Sequence, residues 1–263
     1  MFTATLSSAW TTGVYEIDHI PIGHQDLSRL ATAFEALGFS VSGLCRYQSP
    51  DYPLESWTCR AVFLERGWLD LQSDPDRPSS HGAVPHSCLF RAPSLIDAAS
   101  ELSTFRTGPV VRLVRDWENQ EAPPLDLRWV SVLERVAPLV LALVDYPAAD
   151  DEQGLSKPRH PNSATRILGL AFGDVTPGPA ADVAALSLSL SGFRYLPRRV
   201  FEERFGAVEG GMVALRFEVA SLEDAACSMR KSGLSFSVSD HAIMVPAQGV
   251  LGCGVEFTLA GEA

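Results

Sequence analysis

With 263 residues, of which 46% are hydrophobic, the chain is long enough to bury a proper core as one large domain or two smaller ones, which excludes a disordered protein. A formal charge of -11 and an isoelectric point near 5.0 repel phosphate backbones and anionic lipid, and no dense run of Lys or Arg offsets this, so neither nucleic acid nor membrane is an expected partner. Five cysteines without a C-x-x-C pair point to reduced, buried thiols, and the opening residues lack the basic start and apolar run of a signal peptide, so a cytoplasmic protein is expected.

The clearest pattern lies at residues 14–39. Branched and aromatic residues alternate with polar ones over 14–22, which predicts a buried strand with His19 on the face of Tyr15 and Ile17. Asp26 is placed to cap a helix in which Leu27, Leu30, Ala31, Phe34 and Leu37 recur at helical spacing, and Gly38 supplies the left-handed residue that ends it. His24 is expected at the exposed entrance of this helix. Strands follow at 41–47, 57–64 and 68–72, the last two joined by E-R-G as a hairpin. Residues 74–85 read as a linker.

The same order repeats. Residues 86–91 predict a strand, 94–105 a helix, and 108–116, 127–133 and 139–146 three further strands. The polar, proline-bearing stretch 148–162 divides the chain into halves, 1–150 and 163–263. A third unit opens with a strand at 166–175 and a helix at 181–193, but only about two short strands fit before the next unit, so it is expected to be truncated. The fourth is fuller, with a strand at 212–219, a helix at 221–234 and strands at 235–238, 242–245 and 255–259. Three of the four helices end alike, L-G-F, S-G-F and S-G-L, and this recurrence supports a repeated unit.

Three stretches, I-D-H-I-P-I-G-H-Q-D-L from residue 17, G-W-L-D-L-Q from residue 67 and H-P-N from residue 160, resemble the vicinal oxygen chelate superfamily, within it the glyoxalase-like proteins built from two pairs of modules. The resemblance implies an α+β fold in which βαβββ modules pair into curved mixed β-sheets, with helices outside and an open cup in each pair. In metal-dependent members the ligands project into the cup from the first and fourth strands of each module. Carried onto this chain, those positions are His19 and Asp70, with Ser87 at the equivalent place in the second module and His86 available if the register slips by one residue. The second half offers Gly169 and Ala214 where the first offers His19, and Glu256 alone among acidic residues of its last strand.

The implied cofactor is a divalent metal, Zn, Fe, Mn or Ni, at His19, Asp70 and His86, whereas catalytic sites generally need three protein ligands and an open position. The pattern also admits a metal-free role, with His19 lining a pocket and Asp70 solvated or paired with an arginine at a strand end. Candidate ligand-binding residues are His19, Trp57, Arg60, Asp70, Arg128, His160 and Asn162. Arg60, Arg112 and Arg128 lie in predicted strands and could clamp a carboxylate if they point inward. H-P-N can instead be a turn. No nucleophile elbow, P-loop, strand-associated G-x-G-x-x-G or H-E-x-x-H is present. The expected function is binding of a small organic ligand or substrate in the cup of the first half. The alternative is a metal-dependent lyase, isomerase or dioxygenase acting on vicinal oxygens through His19 and Asp70, and a homodimer is compatible with either.

Overall fold

A computed structural model describes residues 15–52, 56–74, 82–95, 97–98, 106–118, 124–133, 139–147, 157–175, 192–207 and 212–261. The first unit runs β1 (Ile17–His24), α1 (Leu27–Ala36), β2 (Cys45–Gln48), β3 (Ser56–Phe63) and β4 (Trp68–Ser73). The Asp26 side chain accepts from the Arg29 amide at 2.9 Å, satisfying one of the unpaired donors of the first helical turn. Leu30, Ala31 and Phe34 are the buried face of α1. Gly38 follows at φ +87°, and a side chain there would also lie 2.6 Å from Ser228 Cβ, so the position demands glycine for both conformation and space. The β3–β4 hairpin closes through Leu64 N–H to the Gly67 carbonyl at 3.0 Å. β4 then returns beside β1 in parallel.

The second unit contributes β5 (Val84–Pro85) and β6 (Ser87–Arg91), which are one run interrupted at His86, then β7 (Val111–Trp117), β8 (Leu125–Val132) and β9 (Val140–Asp145). β9 returns beside β6 in parallel, as β4 does beside β1. Most of the helix expected at 94–105 lies outside the described residues. The two units join twice, β1 against β5 and β6, and β2 against β7, all antiparallel. The sheet therefore runs β4-β3-β2-β7-β8-β9-β6-β1 and back to β4, closing on itself. The expected cup is closed instead of open, and pairing of β2 with β7 makes the difference: it removes both edges and leaves a barrel.

Strand alternation gives this barrel two apolar faces. Tyr47, Cys59, Ala61, Phe63, Trp68, Leu113, Trp117 and Leu127 belong to the inner cluster. Ile20, Ile22, Val62, Leu69, Leu71, Phe90 and Leu143 face outward, where they merge with α1 and with Phe217, Met229 and Phe257 of the second half into one core. Each such side chain contributes about 1.5–3 kcal/mol on burial.

The second half holds β10 (Ala164–Gly173), β11 (Arg194–Leu196), α2 (Arg198–Phe205), β12 (Val213–Val219), α3 (Leu222–Lys231), β13 (Ser237–Val238), β14 (Ala242–Val245) and β15 (Gly254–Leu259), in a sheet of order β11-β10-β12-β15-β14-β13. Residues 181–191 of the helix expected at 181–193 lie outside the described residues. β11 sits parallel to β10, as β4 does to β1. Where a second short strand was expected, residues 198–205 form α2, because Pro197 ends β11 and Phe201 and Phe205 fall on one helical face. Those rings are seated over small residues: a side chain at Gly173 would come within 2.7 Å of Phe201 and one at Gly254 within 2.8 Å of Phe205. Among the described residues no helix is long and apolar enough to cross a membrane.

Candidate functional site

His19 is placed by an irregularity in β1. Ile17 is opposite Phe90 and His19 opposite Leu89, so two residues of β1 advance against one of β6, a bulge that brings Asp18 and His19 together on the inner side. The His19 ring stacks on Trp68 at 4.1 Å, and its Nδ1 lies 2.6 Å from Asp18 Oδ1. The Tyr146 hydroxyl donates to the same oxygen at 2.6 Å. Burial works to raise the Asp18 carboxyl, but the bonds from His19 and Tyr146 and the charge of Arg91 outweigh it and hold Asp18 below its ordinary value. An anionic Asp18 fixes the proton on His19 Nδ1, and Nε2 makes no hydrogen bond among the described residues.

Asp70, one diagonal step from His19 on β4, is 1% exposed. Burial raises its carboxyl above the ordinary value, although Gln72, the His19 ring, the Cys59 thiol and Arg115 all draw it down. Gln72 Nε2 donates to Asp70 Oδ2 at 2.6 Å, Gln72 Oε1 accepts from His86 Nε2 at 2.9 Å, and the Ser87 hydroxyl lies 3.1 Å from His86 Nδ1. Since an amide oxygen only accepts, this chain of donors runs from Ser87 through His86 and Gln72 and ends on Asp70. His86 reaches it because the break between β5 and β6 frees it from strict alternation.

These groups border a cavity of about 280 Å³ inside the barrel, lined by His19, Asp70, Gln72, His86 and Ser87 on one side and by aromatic and aliphatic walls including Tyr47, Trp57 and Trp129 on the other. An apolar cavity of about 150 Å³ accommodates benzene, so this one fits a substituted single ring. The lining leaves Asp70 Oδ1 and the Nε1 donors of Trp57 and Trp129 buried without partners. Behind it sits Arg115, 1% exposed, its guanidinium within 4.9–6.0 Å of the Trp68, Phe63, Trp117 and Tyr47 rings and 3.4 Å from the Tyr47 hydroxyl.

Of the residues singled out from sequence, His19, Trp57, Asp70 and His86 come together around the cavity. Arg60, Arg128, His160 and Asn162 do not. Arg60 and Arg128 have the outward parity of their strands: Arg60 donates to the Ser42 carbonyl at 3.3 Å, and Arg128 grips Asp145 with two bonds of 2.9 and 2.6 Å. Arg112 likewise pairs outward with Asp126. His160 and Asn162 fasten the two halves together. His160 Nδ1 accepts from the Ser40 amide at 3.0 Å and Nε2 donates to the Phe63 carbonyl at 2.7 Å, while Asn162 donates to the Leu37 carbonyl at 3.0 Å. Burial lowers the His160 imidazole below its ordinary value. His24 is buried, not exposed, because its Nδ1 accepts from the Asp26 amide at 2.9 Å at the helix entrance. Arg115 is not among the candidates from sequence, yet it shares the inward parity of Val111, Leu113 and Trp117, an alternation visible in the residues of β7.

A divalent metal does not suit this donor set. Among the described residues no three of His, Cys, Asp and Glu converge as ion ligands. His86 is held by Gln72 and Ser87, and the register that places Asp70 beside Pro21 places Ala142 beside Leu89, so the second module contributes no carboxylate. Glu256 is spent in the second half, where Arg194, Arg204 and Arg216 approach it at 3.2, 3.8 and 3.1 Å.

The sequence matches no family model and no curated protein. Solved structures are similar in fold. A hypothetical protein from Staphylococcus aureus superposes with a TM-score of 0.54 at 8% identity, covering 94% of this chain and 100% of that one. A catechol 2,3-dioxygenase gives 0.53 at 10% identity, over 95% and 94%. A mutant of 4-hydroxymandelate synthase from Streptomyces coelicolor gives 0.55 at 12% identity, over 94% and 93%.

Proposed function

The chain has the fold of the vicinal oxygen chelate superfamily, and on that scaffold we propose that the barrel formed by residues 1–150 binds a small organic molecule, with 163–263 as its structural support. The observation that carries this reading is the cavity itself, with aromatic walls on one side and a hydrogen-bonded polar chain on the other. The aromatic walls call for a planar apolar body, and the polar chain that ends on Asp70 calls for a polar substituent on its edge, such as a carbonyl or carboxylate. His19, Trp57, Asp70, Gln72, His86, Ser87 and Trp129 are the contact residues.

The test joins ligand screening by intrinsic tryptophan fluorescence to metal analysis after repletion with Zn, Fe, Mn and Ni. Saturable binding of a compound of this class, weakened at least tenfold by Trp57→Ala and independent of added metal, is expected. A stoichiometric metal that disappears in His19→Ala would overturn the metal-free reading.

Asp18 favours a second reading, an isomerase or lyase. A carboxylate that fixes the tautomer of His19 and is itself held by Tyr146 is the arrangement that orients an imidazole as a general base, worth about 10²–10⁴ in rate where it operates. On this reading His19 Nε2 takes a proton from the bound molecule. Exchange of a ligand C–H for deuterium, lost in His19→Gln and slowed in Asp18→Asn, is the expected signature; binding without exchange leaves the protein a binder.

A further inference from the structure

We propose that Cys45 and Cys59 are a dithiol that closes to a disulfide across the β2–β3 hairpin, on the inner wall of the barrel. The two residues are direct cross-strand partners, both point inward, and both are fully buried. Directly opposed residues in an antiparallel ladder have Cα atoms about 4.5 or 5.5 Å apart, inside the ~4.4–6.8 Å that disulfides span. Their sulfurs are 2.9 Å apart, and the Cys45 thiol also lies 3.5 Å from the Cys59 carbonyl. Joining them brings the sulfurs from 2.9 Å to the ~2.05 Å of an S–S bond. Cys88, Cys227 and Cys253 belong to other elements, and no contact to a second sulfur is made by any of them among the described residues.

The reaction is a two-electron oxidation. One thiolate attacks hydrogen peroxide, forming a sulfenic acid and releasing hydroxide; the second sulfur then attacks the sulfenic sulfur, the S–S bond forms and water leaves. Two thiols and one peroxide thus become one disulfide and two waters. Burial pushes the Cys59 thiol well above its ordinary value, with Cys45 and Asp70 adding to the rise. The thiolate is therefore scarce and the first step slow, so the pair responds to sustained oxidant and stays reduced otherwise.

The bond has a readout at the cavity. The next cross-strand pair, Tyr47 opposite Trp57, is stacked at 5.1 Å, and both rings line the cavity. Drawing Cys45 and Cys59 together pulls on that pair and withdraws the Cys59 thiol from Asp70. This inference stands whether or not the cavity binds a ligand.

The experiment treats the folded chain with hydrogen peroxide, and in parallel refolds it from denaturant with oxidised glutathione. Expected are loss of two of the five thiols titratable in denaturant, a mass lower by two hydrogens, a non-reduced peptide joining Cys45 to Cys59, and a tryptophan emission shift reversed by dithiothreitol. Cys45→Ser and Cys59→Ser should each keep all their remaining thiols and show no shift. Five thiols after both treatments, or a crosslink through another cysteine, would overturn the proposal.

Discussion

In the first half the inner face of the sheet carries aromatic rings, a buried Arg115 and the polar chain from Ser87 to Asp70, and it encloses a cavity. In the second half the corresponding face of β12 and β15 carries Ala214, Arg216, Gly254, Glu256 and Thr258, and α2 lies over it with Phe201 and Phe205. Both faces bury charge, but differently. Arg216 pairs with Glu256 at 3.1 Å and also donates to the Gly192 carbonyl at 2.7 Å, whereas Arg115 has rings around it and, among the described residues, only the Tyr47 hydroxyl as a hydrogen-bond partner. One folding unit thus yields a filled support where a helix replaces strands and a hollow site where the strands close a barrel. What decides is the insertion of α2 and the closure by β2 and β7, not the strand pattern that the units share.

The sharpest way to break this contrast is to empty the filled half. Phe201→Ala should cost about 3–5 kcal/mol, the usual range for a fully buried ring, and Glu256→Gln a similar amount by stranding Arg216. Both are read by urea denaturation, and neither should alter ligand affinity in the first half. A loss below about 1 kcal/mol for Phe201→Ala would mean that α2 does not fill the second half.

The strand–helix opening of the first half could be read from residue types because the reasons are local: alternation over 17–24, the Asp26 cap and the Gly38 turn. Trp57 and Asp70 could be read as site residues because they hold inward positions of regular strands, whereas His19, expected on the face of Tyr15 and Ile17, is turned to the opposite face from theirs by the bulge in β1. Arg60 and Arg128 were placed by strand membership alone; parity with Val62 and Val130 turns them outward, and parity with Leu113 turns Arg115 in. The roles of His160 and Asn162 were beyond reach, since their partners Phe63 and Leu37 lie 97 and 125 residues away. Asp18 became a site residue only through a bulge, which depends on the register of β6 and leaves no mark in β1 itself.

The joint between the halves ranks next. Asn162 donates to Leu37, accepts from the Ala164 amide at 3.1 Å and is fully buried, so Asn162→Ala should cost about 1–3 kcal/mol. Two separated unfolding transitions would show the halves uncoupled; a single shifted transition is expected.

His160 makes the same joint sensitive to pH. Its imidazole is lowered in the folded state, so the unfolded chain, titrating near pH 6.5, binds more protons and stability rises with pH. The contribution is complete above about pH 6.5 and is lost as pH falls from there through the lowered folded value. The stability gap between wild type and His160→Gln should narrow on acidification from about pH 7 to about pH 5; a gap that widens would contradict the assignment.

The smallest effect belongs to Arg115. A buried cation without a carboxylate bound to it gives little net stability, so Arg115→Met should change the unfolding free energy by less than about 1 kcal/mol, in contrast to the cost of Glu256→Gln. An effect as large as that of Glu256→Gln would make the two buried charges equivalent.

Occupancy of the first-half cavity is tested most directly by filling it. Leu113 lines the wall, and Leu113→Trp places a ring into the space without disturbing the second half. Ligand-observed NMR with a planar carboxylate or carbonyl compound that binds wild type should show binding abolished in Leu113→Trp and retained in Phe201→Ala. Binding that survives in Leu113→Trp, in a variant that still folds, would place the ligand elsewhere and contradict the barrel as the site.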